Sequence, residues 1–271
     1  MLEYEFMRHA LLAGVMVALL AGASGYFLVL RKQTFAGHAL SHVGFAGATG
    51  AALLGAPPLA GMFAVTVAAG LAMGWLGDRL KGSDVAVGAV LALAMGFGML
   101  FLHFFTAYAT QATALLFGNI LGVDGTTLYL LAASSLLCLC ALAMISRPLI
   151  FASLQPELAE ARGLPLRLVS MLFLAIVALA TALCTQVVGV LLVFALMVGP
   201  GAAAQQLTRK LGRGVALAVA LALAETVGGI VLAYRSDWPV SFWITALSCG
   251  GYLAAAAWRH RQTRRSPYKA N

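Results

Sequence analysis

Two histidines, His38 and His42, stand four residues apart near the start of an apolar stretch. On a helix, residues i and i+4 lie on one face, so both imidazoles would point the same way. Neutral imidazole is a common protein ligand for zinc and other borderline metals. A tetrahedral zinc site takes about four ligands, so this pair would form half of one and a second copy of the chain could supply the rest. The alternative is that both rings hydrogen-bond to neighbouring backbone inside a helix bundle.

Three further ionisable residues lie within or beside apolar runs. Glu225 is the carboxylate in the middle of such a run, where it could line an ion pathway, accept a proton or make an interhelical hydrogen bond. His103 and Asp237 stand near the predicted outer ends of two runs. They could be an ion's first contacts or ordinary residues of the membrane interface.

The composition shows what must position these residues. The 271 residues are 62% hydrophobic and only 10% charged, whereas soluble domains average about 25% charged. We therefore predict an all-α, polytopic membrane protein with one transmembrane domain over residues 1–271. The apolar runs predict nine helices. They lie at about 8–30, 38–56, 59–77, 85–105, 127–146, 168–186, 188–207, 214–234 and 240–258.

Eight or ten spans stay open, because the runs around 100–125 and 186–188 can be divided differently. Residues 111–123 are too few to cross a bilayer alone and could form a re-entrant or interfacial segment. Pro200, inside the seventh run, is expected either to kink its helix and free backbone carbonyls or to be simply tolerated.

The basic residues predict the orientation of the chain in the membrane. Nine spans with the N-terminus outside leave only Arg8 and Arg235 of the 17 Lys and Arg residues on the outer side. Cytoplasmic loops carry an excess of Lys and Arg, so we predict a cytoplasmic C-terminus in a bacterial inner membrane. The basic tail, 259–271, then reads as an orientation signal that contacts anionic lipids, and not as a nucleic-acid arm.

The longest polar connection, 147–167, is predicted to be cytoplasmic. Pro156 suits a helix start, Glu157 and Glu160 fall in the first turns, and Gly163 followed by Pro165 would end the helix. The segment is either an ordinary loop with a short surface helix or a docking site for a cytoplasmic partner.

Two catalytic motifs are absent from the sequence. There is no G-x-x-x-x-G-K-[ST] phosphate-binding loop and no H-E-x-x-H zinc-protease motif. We therefore predict a chain that is not itself an enzyme and holds no tightly bound cofactor.

Five blocks of sequence, in order along the chain, resemble the permease subunits of bacterial zinc, manganese and iron ABC importers. They are Val29–Lys32 with Gly37–Gly50, Leu116–Leu121, Gln155–Gly163, Val188–Ala204, and Asp237 with Pro239. The resemblance implies a homodimeric permease with cytoplasmic ATP-binding subunits and an extracytoplasmic metal-binding protein. The transported divalent ion would be the cargo, and ATP would bind to the partner subunit.

The resemblance also assigns roles to residues. His42 falls on the family's motif histidine, whereas His38 stands where the family usually has aspartate, a departure that favours zinc over manganese by ligand type. The segment 155–163 would be the coupling helix that seats in the ATPase. The residues expected to couple this helix to the ATPase are Pro156, Glu157, Glu160, Ala161 and Gly163.

Three alternatives to a zinc importer stay open. The same machinery could carry manganese, iron or a metal chelate. An ion-coupled secondary transporter could use Glu225 as its proton site. An intramembrane metalloenzyme is disfavoured, because the glutamate that a zinc protease uses as base is missing.

Overall fold

The computed structural model describes residues 3–76, 83–104 and 118–265, and these parts of the chain are almost entirely helical. The predicted basic positions Arg79 and Lys81, most of the 111–123 segment and the end of the basic tail lie outside the described residues. The helices are α1 (Glu5–Leu30), α2 (Thr34–Leu53), α3 (Pro58–Leu76), α4 (Ser83–His103), α5 (Gly125–Leu154), α6 (Pro156–Ala161), α7 (Leu166–Val188), α8 (Val190–Leu207), α9 (Leu211–Ser236) and α10 (Val240–Arg265), with a 3-10 turn at Ile120–Gly122.

Nine of these helices are long, and each corresponds to one predicted span, which confirms the all-α, multi-pass fold. Eight are long and apolar enough to cross a membrane. The exception is α2, whose histidines and small residues make it less apolar than the rest. It is enclosed by α3, α4, α7 and α8, so the helix with the candidate chemistry depends on protein neighbours more than on lipid.

The centre of the bundle is formed by α1 and α7, which have the longest runs of buried residues. Small residues let helix backbones approach closely where hydrophobicity cannot drive association in a membrane. Gly25 of α1 is the clearest case, since a Cβ there would overlap the carbonyl oxygen of Met197 on α8. The backbones of α1 and α8 are therefore in direct contact.

A single residue, Gly189, separates α7 from α8. Its φ of 83° lies in the left-handed region that favours glycine. The end of the predicted re-entrant or interfacial segment packs against this junction. There the backbone amide of Asn119 donates a hydrogen bond to the Val187 carbonyl at 3.2 Å. The described part of that segment, 118–123, is thus a short turn against the bundle.

Helix α5 is longer than the sequence predicts. We expected the span to end at residue 146 and a polar connection to begin at 147, but α5 continues through Pro148 to Leu154. The reason is packing: Leu149 is fully buried against the core, so the helix continues despite the proline. At its start, the Asp124 side chain accepts a hydrogen bond from Thr127, which holds the pKa of that carboxyl below its usual value.

Pro200 likewise does not end its helix. It is buried inside α8, which runs on to Leu207. A proline within a helix removes one backbone hydrogen bond, and neighbouring helices can tolerate this in a membrane.

Candidate functional site

The two imidazoles of α2 lie together, as their spacing predicts. The ring centroids of His38 and His42 are 4.8 Å apart and nearly perpendicular. Two nitrogens bound to one tetrahedral zinc, each about 2.0 Å from it, stand about 3.3 Å apart. Rings at this separation can therefore reach one ion with small rotations of their side chains.

Aromatic side chains hold the first histidine in place. The His38 ring lies 5.0 Å from the ring of Phe194 on α8, edge to face, and 6.4 Å from the stacked ring of Phe35. The Ser41 hydroxyl donates a hydrogen bond to the backbone carbonyl of His38 at 2.7 Å. This hydroxyl proton is therefore not available to either imidazole. Phe194 was not foreseen from the sequence, because it lies far along the chain.

The pair has unused ligand capacity. The Nδ1 atom of His38 is buried, and no hydrogen-bond partner for it exists among the described residues. Buried polar atoms normally have a partner, and ligating histidines use one nitrogen for the metal and the other for a hydrogen bond. Both histidines are half-buried, so an ion or a second copy of the chain could still approach them.

A complete metal site is not formed by one copy. Across 3–76, 83–104 and 118–265, no three His, Cys, Asp or Glu side chains gather where they could hold an ion. Two imidazoles are too few for tight tetrahedral binding. A weak site suits transport, because the ion must leave as readily as it enters.

Glu225 lies apart from the histidine pair. It is 5% exposed on α9, and its Oε1 atom is 3.4 Å from where a Cβ on Gly251 of α10 would stand. Within the described chain neither carboxylate oxygen has a hydrogen-bond partner. The Ser248 hydroxyl of α10, which lies beside the Glu225 carboxyl, donates to the carbonyl of Ala195 on α8 at 3.0 Å.

Helix α8 stands between the two groups. Phe194 touches His38, while the next residue, Ala195, binds Ser248 on the Glu225 side. Successive helix residues point about 100° apart. Helix α8 packs against α2 and also against α9 and α10, so it lies between the histidine pair and Glu225.

The other two candidates lie at exposed helix ends. His103 ends α4 with its ring 5.5 Å from that of Phe104. Asp237 follows α9 with a φ of 56°, in the left-handed region. Neither is close to the histidine pair, and both side chains are exposed.

The short helix α6 begins and ends as the sequence predicts. Pro156 is its first residue, and the chain leaves it through Gly163 at a φ of 76°. The Gly163 amide donates to the Glu160 carbonyl at 2.8 Å, and the Leu164 amide donates to the Ala159 carbonyl at 3.0 Å. These two bonds are the Schellman motif that closes a helix C-terminus.

Only one residue of α6, Ala159, is buried. All five residues predicted to couple to the ATPase are exposed: Pro156, Glu157, Glu160, Ala161 and Gly163. The helix therefore rests on the bundle through a single small side chain and presents the rest of its surface outward.

A model of the ABC 3 transport family matches residues 3–259, nearly the whole chain. The chain belongs to the ABC 3 transport family. This confirms the resemblance seen in the five sequence blocks. It also means that the chain is a transport subunit and not an enzyme.

Relatives of this ABC 3 family member are named for different metals. It is 30% identical over 239 residues to the manganese transport system membrane protein of Halalkalibacterium halodurans, covering 88% of this chain and 82% of that one. It is 30% identical over 261 residues to a probable iron transport system membrane protein of Haemophilus influenzae, covering 95% of each. It is also 25% identical over 235 residues to the high-affinity zinc uptake system membrane protein of Haemophilus influenzae, covering 86% of this chain and 90% of that one.

A solved structure shares the fold of this ABC 3 family member. The PsaBC structure from Streptococcus pneumoniae, in complex with Fab, superposes with a TM-score of 0.82 at 24% identity, covering 93% of this chain and 91% of that one.

A further polar cluster of this ABC 3 family member surrounds Arg31, which lies in the first of the five resembling blocks. Arg31, which follows α1, donates from Nε to Gln33 at 3.1 Å, from Nη1 to Ser153 at 3.2 Å and from Nη2 to Ser170 at 2.8 Å. Its guanidinium also lies 5.4 Å from the ring centre of Phe173. The sequence signal was its place in the block just before the histidine pair.

Proposed function

We propose that this chain is the membrane-spanning permease of an ATP-driven importer of a divalent transition-metal ion, with zinc as the preferred cargo. The observation that carries the proposal is the pair of imidazoles 4.8 Å apart on α2, in a chain that belongs to the ABC 3 transport family. Relatives named for manganese, iron and zinc support a metal ion as the cargo class.

The cargo would pass the permease at an interface between two copies. One copy offers two imidazoles, and a tetrahedral ion takes about four ligands. A two-fold axis beside α2 would bring His38 and His42 of each copy to one point, as isologous interfaces do. The half-buried rings and the unpartnered Nδ1 of His38 support this arrangement.

Ligand chemistry supports zinc over manganese. Imidazole suits zinc, while carboxylate oxygen suits manganese. This chain has His38 where the resembling family usually has aspartate. A second candidate function is ATP-driven import of manganese or iron by the same permease. The relatives named for manganese and iron transport favour it.

The energy would come from cytoplasmic ATP-binding subunits that dock on α6. Two large apolar side chains stand exposed beside and on this helix, Leu154 at 56% and Leu158 at 45%. A protein partner that buried them would remove apolar surface from water. The Schellman ending at Gly163 fixes the direction in which the chain returns to α7.

In the cell, the chain would lie in the bacterial inner membrane with its N-terminus outside and its C-terminus in the cytoplasm. An extracytoplasmic metal-binding protein would deliver the ion to the outer side. The excess of Lys and Arg on the predicted cytoplasmic side supports this orientation.

The test is metal uptake in cells that lack their own zinc and manganese importers. The chain is expressed with its ATP-binding subunit and its metal-binding protein, and radioactive zinc, manganese and iron are supplied separately. We expect zinc to enter faster than manganese. Uptake should stop when the ATP-binding subunit carries a substitution of its phosphate-loop lysine.

Two results would contradict the proposal. Uptake that continues without a working ATP-binding subunit and follows a pH gradient would identify an ion-coupled transporter. Uptake of manganese or iron with no uptake of zinc would leave the ATP-driven mechanism in place and overturn the choice of cargo.

A further inference from the structure

Arg31 connects three parts of the chain that are far apart in sequence. Its partners Ser153 and Ser170 are 122 and 139 residues away. Ser153 stands on the last turn of α5, and Ser170 stands in the second turn of α7. Helix α6 lies between these two helices, so both flanks of α6 are bound to one guanidinium.

The same guanidinium is fixed to the start of the histidine-bearing helix. Arg31 donates to the side chain of Gln33, the residue just before α2. The turn is tight, since the Gln33 amide donates back to the Leu28 carbonyl at 2.9 Å and Lys32 has a φ of 56°. His38 follows four residues after Thr34, about 6 Å along the helix.

The contacts of Arg31 are of a kind that a lysine cannot reproduce. A planar guanidinium directs several N–H donors in fixed directions and stacks on an aromatic face, while an ammonium is a compact charge. Here three different donor nitrogens reach three different partners, and the plane lies near Phe173. Among the described residues, no carboxylate forms an ion pair with Arg31.

The geometry points to Arg31 as a positioning residue that couples α6 to the histidine pair. This inference rests on the proposed function, in which an ATP-binding subunit moves α6. A displacement of α6 must carry Ser153 and Ser170 with it. Because Arg31 binds both and also holds Gln33, the displacement reaches the first turns of α2 and the position of His38.

The experiment measures ions transported per ATP hydrolysed by the whole complex in proteoliposomes, with Zn²⁺ and Mn²⁺ as probes. The variants are Arg31→Lys and the double change Ser153→Ala with Ser170→Ala. The matched control is Lys32→Arg, which also exchanges one basic residue for the other, at an exposed neighbour.

We expect the ratio to fall by about fivefold or more in Arg31→Lys and in the double serine variant. ATP hydrolysis and the binding of the ATP-binding subunit should persist, and Lys32→Arg should keep the wild-type ratio. If Arg31→Lys fails to assemble, the double serine variant decides, because it removes two hydrogen bonds and leaves the guanidinium in place.

One result would overturn this inference alone, a wild-type ratio of ions transported per ATP hydrolysed in either variant. The ratio stays at the wild-type value if both rates are unchanged, and also if they fall in parallel, as a merely structural role would cause. A wild-type complex that transports neither Zn²⁺ nor Mn²⁺ would instead overturn the proposed function and this inference with it.

Discussion

The two candidate sites within the helices, His38 with His42 and Glu225, differ in how they are enclosed. The rings of His38 and His42 are half-buried on α2 and open to an approaching group. Glu225 is 5% exposed and shut between α9 and α10 beside Ser248. Each group has at least one buried polar atom without a partner in the described parts of the chain.

An unpartnered polar atom does not by itself distinguish the two sites, because both have one. An ion on a pathway must be able to enter and to leave, and of the two sites only the histidine side chains are partly exposed. A buried carboxylate without a partner costs free energy unless it holds a proton or a cation. We therefore expect Glu225 to be a neutral interhelical contact and the histidines to contact the cargo.

The largest effect is expected from His42→Ala. Removing one of two cargo ligands should lower zinc uptake by about tenfold or more. The measurement is initial uptake at matched amounts of permease in the membrane. His9→Ala, at a half-buried histidine on α1, is the control and should keep uptake. Normal uptake in His42→Ala would remove the pair from the pathway.

A smaller effect is expected from His38→Asp, which restores the residue usual in the resembling family. The oxygen ligand should shift the preference from zinc toward manganese by about fivefold, since carboxylate suits manganese better than imidazole does. The measurement is the ratio of the two uptake rates. His38→Asn, which adds no charge, separates loss of the imidazole from gain of the carboxylate. An unchanged ratio in His38→Asp would contradict the assignment.

Glu225→Gln should change uptake by less than about twofold, because the amide keeps the shape and neutrality of a protonated carboxyl. Glu225→Ala leaves a cavity between α9 and α10 and should lower the free energy of unfolding of the purified protein by about 2 kcal/mol. If Glu225→Gln stops uptake as His42→Ala does, Glu225 is a pathway residue or a proton site and the comparison fails.

The smallest effects are expected at the exposed helix ends. His103→Gln and Asp237→Asn should leave uptake within about twofold of wild type, because surface substitutions away from special features change little. Asparagine also tolerates the left-handed φ of 56° at residue 237. A large loss at either position would show that the ion's first contact lies there.

Much of this architecture could be predicted from the sequence because apolar length alone specifies membrane helices. The histidine pair followed from i, i+4 spacing, and α6 followed from Pro156 and Gly163, which have local physical meanings. The end of α5 did not follow: the apolar run was expected to end at residue 146, but burial of Leu149 extends the helix through Pro148 to Leu154.

Contacts made across the bundle could not be predicted at all. Phe194 against His38, and Ser153 and Ser170 around Arg31, join residues that are distant along the chain. No periodicity or local motif encodes such pairings. The enclosure that separates Glu225 from the histidines depends on the same long-range packing.

The most direct test of the central claim is zinc K-edge X-ray absorption of the purified permease complex. We predict three or four nitrogen ligands at about 2.0 Å, with that shell lost when His38 and His42 are both changed to alanine. A shell of oxygen or sulfur ligands that survives the double change would contradict the account and place the metal elsewhere in the protein.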